Sequence, residues 1–371
     1  MTKQNNKQKN KQNNKEKKQQ NTNNNTNLLP FVSICTPTFN RRPFIPYIIK
    51  CFENQTYPKD KIEWIIVDDG TDKIKDLVSH IPQVKYFEYE TKLTLGKKRN
   101  LCHQFASGEI IINMDDDDYY PSDRISHAVE MLNKNPDALC AGSSEMYIYF
   151  KHVRKMYKFG PYGPNHATAA TFAFRKKLLD ITGFQDDACV AEEKHFLKNY
   201  TIPFVQLDSM KSILVFSHEH NSFDKKKLLD NINKYVTISE KKPEDFIKEE
   251  DILQFFMNDI DPLLKEYEPG DPKYKPDVLK QIDQLTKQRE NTIKEYQKKM
   301  ELSQLGNVNT NTNTTHDLMN KINDMTVMIQ ELNMENTFLK EKVNYLESKL
   351  KQLVTTHIEE RKNNIQIQKE T

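Results

Sequence analysis

The chain has 371 residues, a formal net charge of +2 and a mean hydropathy of −0.81. That length allows one large domain with appendages, or two domains. The near-balance of charge gives no electrostatic footprint for nucleic acid or an anionic membrane surface, and no segment approaches the roughly 18 uninterrupted apolar residues of a membrane span.

Residues 1–28 are almost entirely Lys, Gln, Asn and Thr. Such a segment cannot bury a core and is expected to be a disordered tail, and it lacks the apolar stretch of a secretory leader. The composition changes at Leu29. From there to residue 235, short β-type runs alternate with helical patterns, which predicts one α/β domain over 29–235. "FVSICTPTFN" reads as an apolar strand ending in a turn. "RPFIPYIIKCFENQ" has helical apolar spacing at Phe44, Ile48, Ile49 and Phe52. "IEWIIVDDG" reads as a second strand, and "LGKKRNLCHQFASG" as a helix that Gly108 could cap. "EIIINMDDDDYYP" reads as a further strand with aspartates at its carboxyl end. The strand–helix–strand order favours a mostly parallel sheet with right-handed crossovers.

Residues 236–305 read as a charged helical region, broken by Pro243, Pro262 and "EPGDPKYKP", and 306–315 ("GNVNTNTNTT") as a polar linker. Over 316–360 apolar residues return at alternating spacings of four and three. Leu318, Met325, Leu332, Leu339, Leu346 and Leu353 fall at d, and Ile322, Ile329, Asn336, Val343 and Leu350 at a. This pattern predicts a coiled coil. β-branched a positions with leucine at d, and a lone Asn336 at a, favour a parallel homodimer in fixed register. Residues 361–371 are expected to be a second disordered tail. The five cysteines (Cys35, Cys51, Cys102, Cys140, Cys189) are scattered and form no C-x-x-C pair. They fit reduced thiols in a cytoplasmic setting, and the Asn/Lys richness would also suit a virus-encoded chain in a host cytoplasm or virion.

The chemistry concentrates at two acidic strand ends, Asp68-Asp69 and Asp115 to Asp118. A run of like charges is ordinarily a solvated turn. In an open α/β sheet, however, ligands bind outside the carboxyl ends of strands. Crowded carboxylates there suit a hard cation, Mn²⁺ or Mg²⁺, that keeps positions open for phosphate oxygens. Lys97, Lys98 and Arg99 in "GKKRN" could answer a diphosphate's charge, or form a solvated first turn.

"VSICTPTFNRR", "ENQTYP", "WIIVDDGTD", "LGKKRN", "ASGEIIINMDDDDYYP" and "AEEKHFLKNY" together resemble, in order and spacing, the family 2 glycosyltransferases of the GT-A fold, over roughly residues 31–225. The resemblance implies a metal-dependent, inverting transfer of sugar from a nucleotide-diphosphate donor, with a UDP-sugar favoured, to a hydroxyl acceptor that the residues do not identify. It implies that Asp69, beside Asp68, bonds the nucleotide base while Pro37 and Phe39 line the base pocket. Lys97 and Arg99 would face the diphosphate, and Asp115 would lie towards the ribose. Asp117 would ligate the metal, with Asp115, Asp116 or Asp118 able to share that role. A general base stands opposite the leaving group in this chemistry. Glu193 of "AEEKHFL" occupies that place, with Glu192 as the alternative. After a later apolar run, "LVFSHEHNSFDK" offers His218, then His220, as a further metal ligand. His166, in the Gly/Pro-rich stretch "GPYGPNHATAATF", could face the acceptor. Two other readings stand beside this one. One is a non-catalytic nucleotide-sugar-binding scaffold dimerised by its coiled coil. The other is a sugar-phosphate nucleotidyltransferase, which "CTPTFNRR" disfavours because it lacks a glycine-rich triphosphate loop.

Overall fold

The computed structural model describes residues 29–230 and 233–305. Both expected tails, the 306–315 linker and the 316–360 heptads lie outside the described residues.

Strand β1 (Val32–Thr38) and strand β2 (Ile62–Asp68) are buried along their whole length, as expected of inner strands covered on both faces. With β3 (Val84–Glu88), β4 (Ile110–Asn113), β5 (Cys140–Gly142), β8 (Ala173–Arg175) and β9 (Phe204–Gln206) they form a seven-stranded sheet in the order β3-β2-β1-β4-β8-β5-β9. β3, β2, β1 and β4 run parallel, and β8 is antiparallel to both β4 and β5. The sheet is therefore α/β and mostly parallel, with one reversed strand inside it. A second sheet, ordered β10-β6-β7-β11, contains β6 (Met146–Phe150), β7 (Lys155–Phe159), β10 (Leu214–Ser217) and β11 (Val236–Ile238).

The longer helices follow the apolar spacing. Helix α1 (Ile45–Glu53) buries Ile45, Ile48, Cys51 and Phe52. Helix α2 (Lys75–Val78) is a single turn. Helix α3 (Leu95–Phe105) starts at Thr94, whose hydroxyl accepts from the Lys97 amide at 3.3 Å. It ends at Ala106, before Gly108. Helix α4 (Arg124–Lys134) follows the aspartate run, and α5 (Glu193–Phe196) is one turn. Helices α6 (Pro243–Phe246), α7 (Glu250–Gln254) and α8 (Ile260–Glu266) precede the long α9 (Pro276–Leu305). Cys35, Cys102, Val67, Ile111, Phe174 and Phe196 belong to one apolar core. All five cysteines are free and buried. No described helix is long and apolar enough to cross a membrane.

The compact unit runs past the expected boundary at 235/236. Residues 237–291 belong to the same compact unit as 29–229. The physical reason is the apolar content of that stretch. Phe246, Ile252, Phe255, Phe256, Ile260 and Leu264 are all buried, and Phe255 stacks on Tyr47 of α1 with ring centroids 3.4 Å apart. A charged average had concealed a sparse buried face.

Candidate active site

The register of the parallel strands sets the site. Thr38 lies beside Asp68, and Cys35 beside Asn113. The carboxyl ends of β1, β2 and β4 therefore open on one edge, where Phe39–Arg41, Asp69 and Asp115–Asp118 emerge. Tyr119 exchanges backbone hydrogen bonds with Leu214 at 3.0 and 2.9 Å, which draws the aspartate run to β10 and to His218 just beyond it. The edge opens on a cavity of about 530 Å³. Pro37, Phe39, Arg41, Lys98, Arg99, Asp115 to Asp118, Glu192 and Glu193 line it, and α9 supplies Val278, Ile282 and Leu285.

The charges on this wall are paired in a definite order. Asp69 is buried and accepts from Lys98 Nζ at 2.8 Å and from the Leu93 amide at 2.5 Å. Arg99, on the same inner face of α3, forks both guanidinium nitrogens onto Asp115 at 3.1 and 3.2 Å. Its Nε donates to Glu192 at 3.0 Å. Arg41 reaches Asp117 at 3.1 Å and Asp116 at 3.5 Å. Against the cost of burial, Arg41 and a hydrogen bond with His218 hold Asp117 well below the usual aspartate range. Burial and the Asp117 charge push Asp116 up to about 6 and Asp118 well above its ordinary value. The run is thus not four equivalent carboxylates but one firmly ionised aspartate between two strained ones.

Glu193 differs from its neighbour. Glu192 is buried against Arg99, whereas Glu193 is half-buried on the cavity wall at the start of α5. Burial, then the Glu192 charge, raises its carboxyl to about 7. The preceding loop is fixed in two places. Gly96 at the start of α3 packs so closely that a Cβ there would lie 1.9 Å from the Gln185 carbonyl oxygen, so only glycine fits. Gln281 of α9 accepts from the Cys189 and Val190 amides at 2.7 and 3.0 Å.

Two candidate donor residues turn away from the cavity. Asp68 turns inward, accepting from the Gly70 and Ile74 amides at 2.8 and 3.1 Å and from the Tyr86 hydroxyl at 2.6 Å. It shapes the turn that carries Asp69, and neither aspartate is among the residues lining the cavity. Lys97 points the other way from Lys98, pairing with Asp186 at 2.9 Å, because successive helical residues lie about 100° apart. His218, His220 and His166 are not among the residues lining the cavity.

Among the described residues no three His, Cys, Asp or Glu side chains are gathered as a metal cluster. His218 Nε2 lies 3.4 Å from Asp117 Oδ2 and 2.7 Å from the Asn221 amide nitrogen. Burial lowers its imidazole to about 3, so it is neutral. Adjacent ligands of an octahedral ion, each about 2.1 Å from it, sit about 3 Å apart. Asp118 Oδ1 is buried without a hydrogen-bond partner. The pair Asp117 and His218 therefore fits a cation whose remaining ligands come from outside the chain, once Arg41 and Asn221 yield those atoms.

Residues 33–191 match the sequence profile of glycosyl transferase family 2. This segment is a family 2 glycosyltransferase domain. Among its relatives is the poly(ribitol-phosphate) beta-N-acetylglucosaminyltransferase TarS of Staphylococcus aureus, 27% identical over 116 residues, which are 28% of this chain and 19% of TarS. The crystal structure of TarS 1–349 aligns with 50% of this chain and 60% of that one, at 21% identity and a TM-score of 0.40. An uncharacterized glycosyltransferase of Haemophilus influenzae is 25% identical over 214 residues, 53% of this chain and 79% of that one. The GalNAc(5)-diNAcBac-PP-undecaprenol beta-1,3-glucosyltransferase of Campylobacter jejuni is 34% identical over 113 residues, 29% of this chain and 36% of that one. The match thus spans about a fifth of TarS and about a third of the Campylobacter enzyme.

Sequence reasoning assigned no role to Arg41, although an arginine directly after a strand's carboxyl end was visible in "FNRR". It also missed the contribution of α9. There the signal was Pro276 at a helix start followed by Val278, Ile282 and Leu285 at helical spacing.

Proposed function

We propose that this chain is an inverting glycosyltransferase that moves a sugar from a nucleotide-diphosphate donor, UDP favoured, to a hydroxyl acceptor. One observation supports it above the others. One cavity, lined in part by residues of the family 2 match, carries Asp115 to Asp118 and a half-buried glutamate with its carboxyl raised to about 7.

In this reading the base and ribose pack against Pro37, Phe39 and Asp115, with Asp69 held in place by Lys98. Glu193 accepts the proton of the acceptor hydroxyl as its oxygen attacks the anomeric carbon. The carbon–oxygen bond to the diphosphate breaks on the opposite face, which inverts that centre. A carboxyl near 7 is half ionised at neutral pH and still basic, the range in which proton acceptors work best. Glu192 suits the base role less, because accepting a proton would dissolve its ion pair with Arg99. Asp117 and His218 would hold Mn²⁺ or Mg²⁺, which would stabilise the departing diphosphate's charge. We also propose that the 316–360 heptads join two copies in a parallel dimer.

The test is a panel of UDP-, GDP-, ADP- and CDP-sugars incubated with the full chain and Mn²⁺, with sugar release followed by chromatography. Turnover of one donor that chelator abolishes supports the reading. Turnover insensitive to chelator removes the metal from it, and consumption of no donor overturns it.

A further inference from the structure

Lys275 lies 84 positions beyond the last residue of the family match, 191, and immediately before α9, yet it lines the same cavity. It is only 6% exposed. Its ammonium donates to Ser222 Oγ at 2.8 Å and lies 5.8 Å from the Phe39 ring centroid. Lys92 and Lys98 flank the same ring at 5.3 and 5.7 Å. The neighbouring cations each have an anion: Lys92 has Asp277, Lys98 has Asp69, and Arg41 has Asp116 and Asp117. Lys275 has only the neutral serine and forms no ion pair among the described residues. Burial, then Arg41, pushes its ammonium well below the ordinary lysine range, with Asp116 and Asp117 opposing.

A buried charge without a counter-charge is costly. It is tolerated where a ligand supplies the missing partner. The position also selects the ligand. The ammonium is beside Phe39 and within the field of Asp116 and Asp117, on the donor side of the cavity rather than on the Glu193 side. It is firmly placed, since Asp277 binds Lys92 and Gln281 holds the 189–190 backbone, anchoring the start of α9 on two sides. Resting on the donor reading above, we propose that Lys275 is a ligand for the donor's diphosphate, delivered from α9, a segment outside the family match. A compact ammonium suits a single non-bridging phosphate oxygen, whereas Arg41 and Arg99 are already committed to carboxylates.

Lys275→Met tests this, because it keeps the side-chain stem against Phe39 and removes the charge, and folds usually tolerate such an exchange. With the full chain, UDP is titrated calorimetrically in Mn²⁺ and again in chelator, and uridine is titrated by ligand-observed NMR. The expected result is UDP binding weakened about 10- to 100-fold in both buffers, uridine binding kept within about threefold, and an undiminished Tm. UDP affinity within threefold of the parent overturns the assignment, as does an equal loss for uridine, which would mean a change of cavity shape. Should Lys275→Met not fold, Lys275→Gln is read by the same comparison. A parent chain that binds none of UDP, GDP, ADP and CDP overturns the donor reading itself, and this inference with it. A parent that binds UDP alongside an unaffected variant overturns the inference alone.

Discussion

Replacing Glu193 by glutamine preserves shape and removes the proton acceptor. Its carboxyl stands at about 7 instead of the ordinary 4.5 because of burial and the Glu192 charge. A base must be ionised to act. The parent rate should therefore rise about tenfold per pH unit below about 6, pass half-maximum near 7 and level off above about 8. Glu193→Gln should lose about 10²- to 10⁴-fold in kcat across that range, with donor affinity unchanged. Stability should move the other way. A carboxyl whose folded value exceeds its unfolded value favours the protonated form, so the native state loses stability as pH rises from 4.5 through 7. The cost approaches about 3 kcal/mol above pH 8. Glu193→Gln removes it, and should be more stable than the parent by about 1–3 kcal/mol in urea at pH 8, with little difference at pH 5. Glu192→Gln separates the two residues. Removing that charge and releasing Arg99 should lower the Glu193 value and shift the acidic limb of the rate profile to lower pH, with turnover retained at pH 8. Steady-state kinetics from pH 5.5 to 9 provide the assay. Glu193→Gln within tenfold of the parent rate, or a parallel fall in donor affinity, refutes the assignment. Collapse of Glu192→Gln alone would move the base by one residue.

Asp117→Ala should abolish transfer and Mn²⁺ binding, measured by turnover and calorimetry, while the fold persists by circular dichroism. Near-normal turnover would remove Asp117 from the metal site. Asp68→Asn should act on stability, because it presents an amide to donors that now face a carboxylate, at a cost of about 1–3 kcal/mol in urea unfolding with donor KM unchanged. A KM effect without destabilisation would return Asp68 to the donor site. Deleting 306–371 should give an active monomer by light scattering if the heptads carry the dimer. A truncated protein that remains dimeric would place the interface in the residues that remain.

The strand ends were legible because a parallel α/β sheet makes the carboxyl ends of its strands the natural place for ligands, and acidic residues there stand out against apolar runs. Asp69 and Asp115 could be singled out on that ground, and Glu193 only by resemblance. Which way each of two adjacent like residues turns, and what it pairs with, was not legible. Asp68 and Asp69, Lys97 and Lys98, and Glu192 and Glu193 differ only by one step of backbone rotation, and that step is decided by the turn or helix carrying them. Arg41 and Lys275 were hidden for another reason. Their partners Asp117 and Phe39 are distant in sequence, and no local pattern records a contact that only chain closure creates. By itself, the sequence determined the α/β class, the acidic character of the strand ends and the heptad spacing, since each arises from periodicity and short-range composition. The tertiary structure alone decided the pairing of Arg41, Arg99 and Lys98 with particular carboxylates, the raised carboxyl of Glu193 and the closure of the cavity by α9, because burial and electrostatics depend on segments brought together from across the chain.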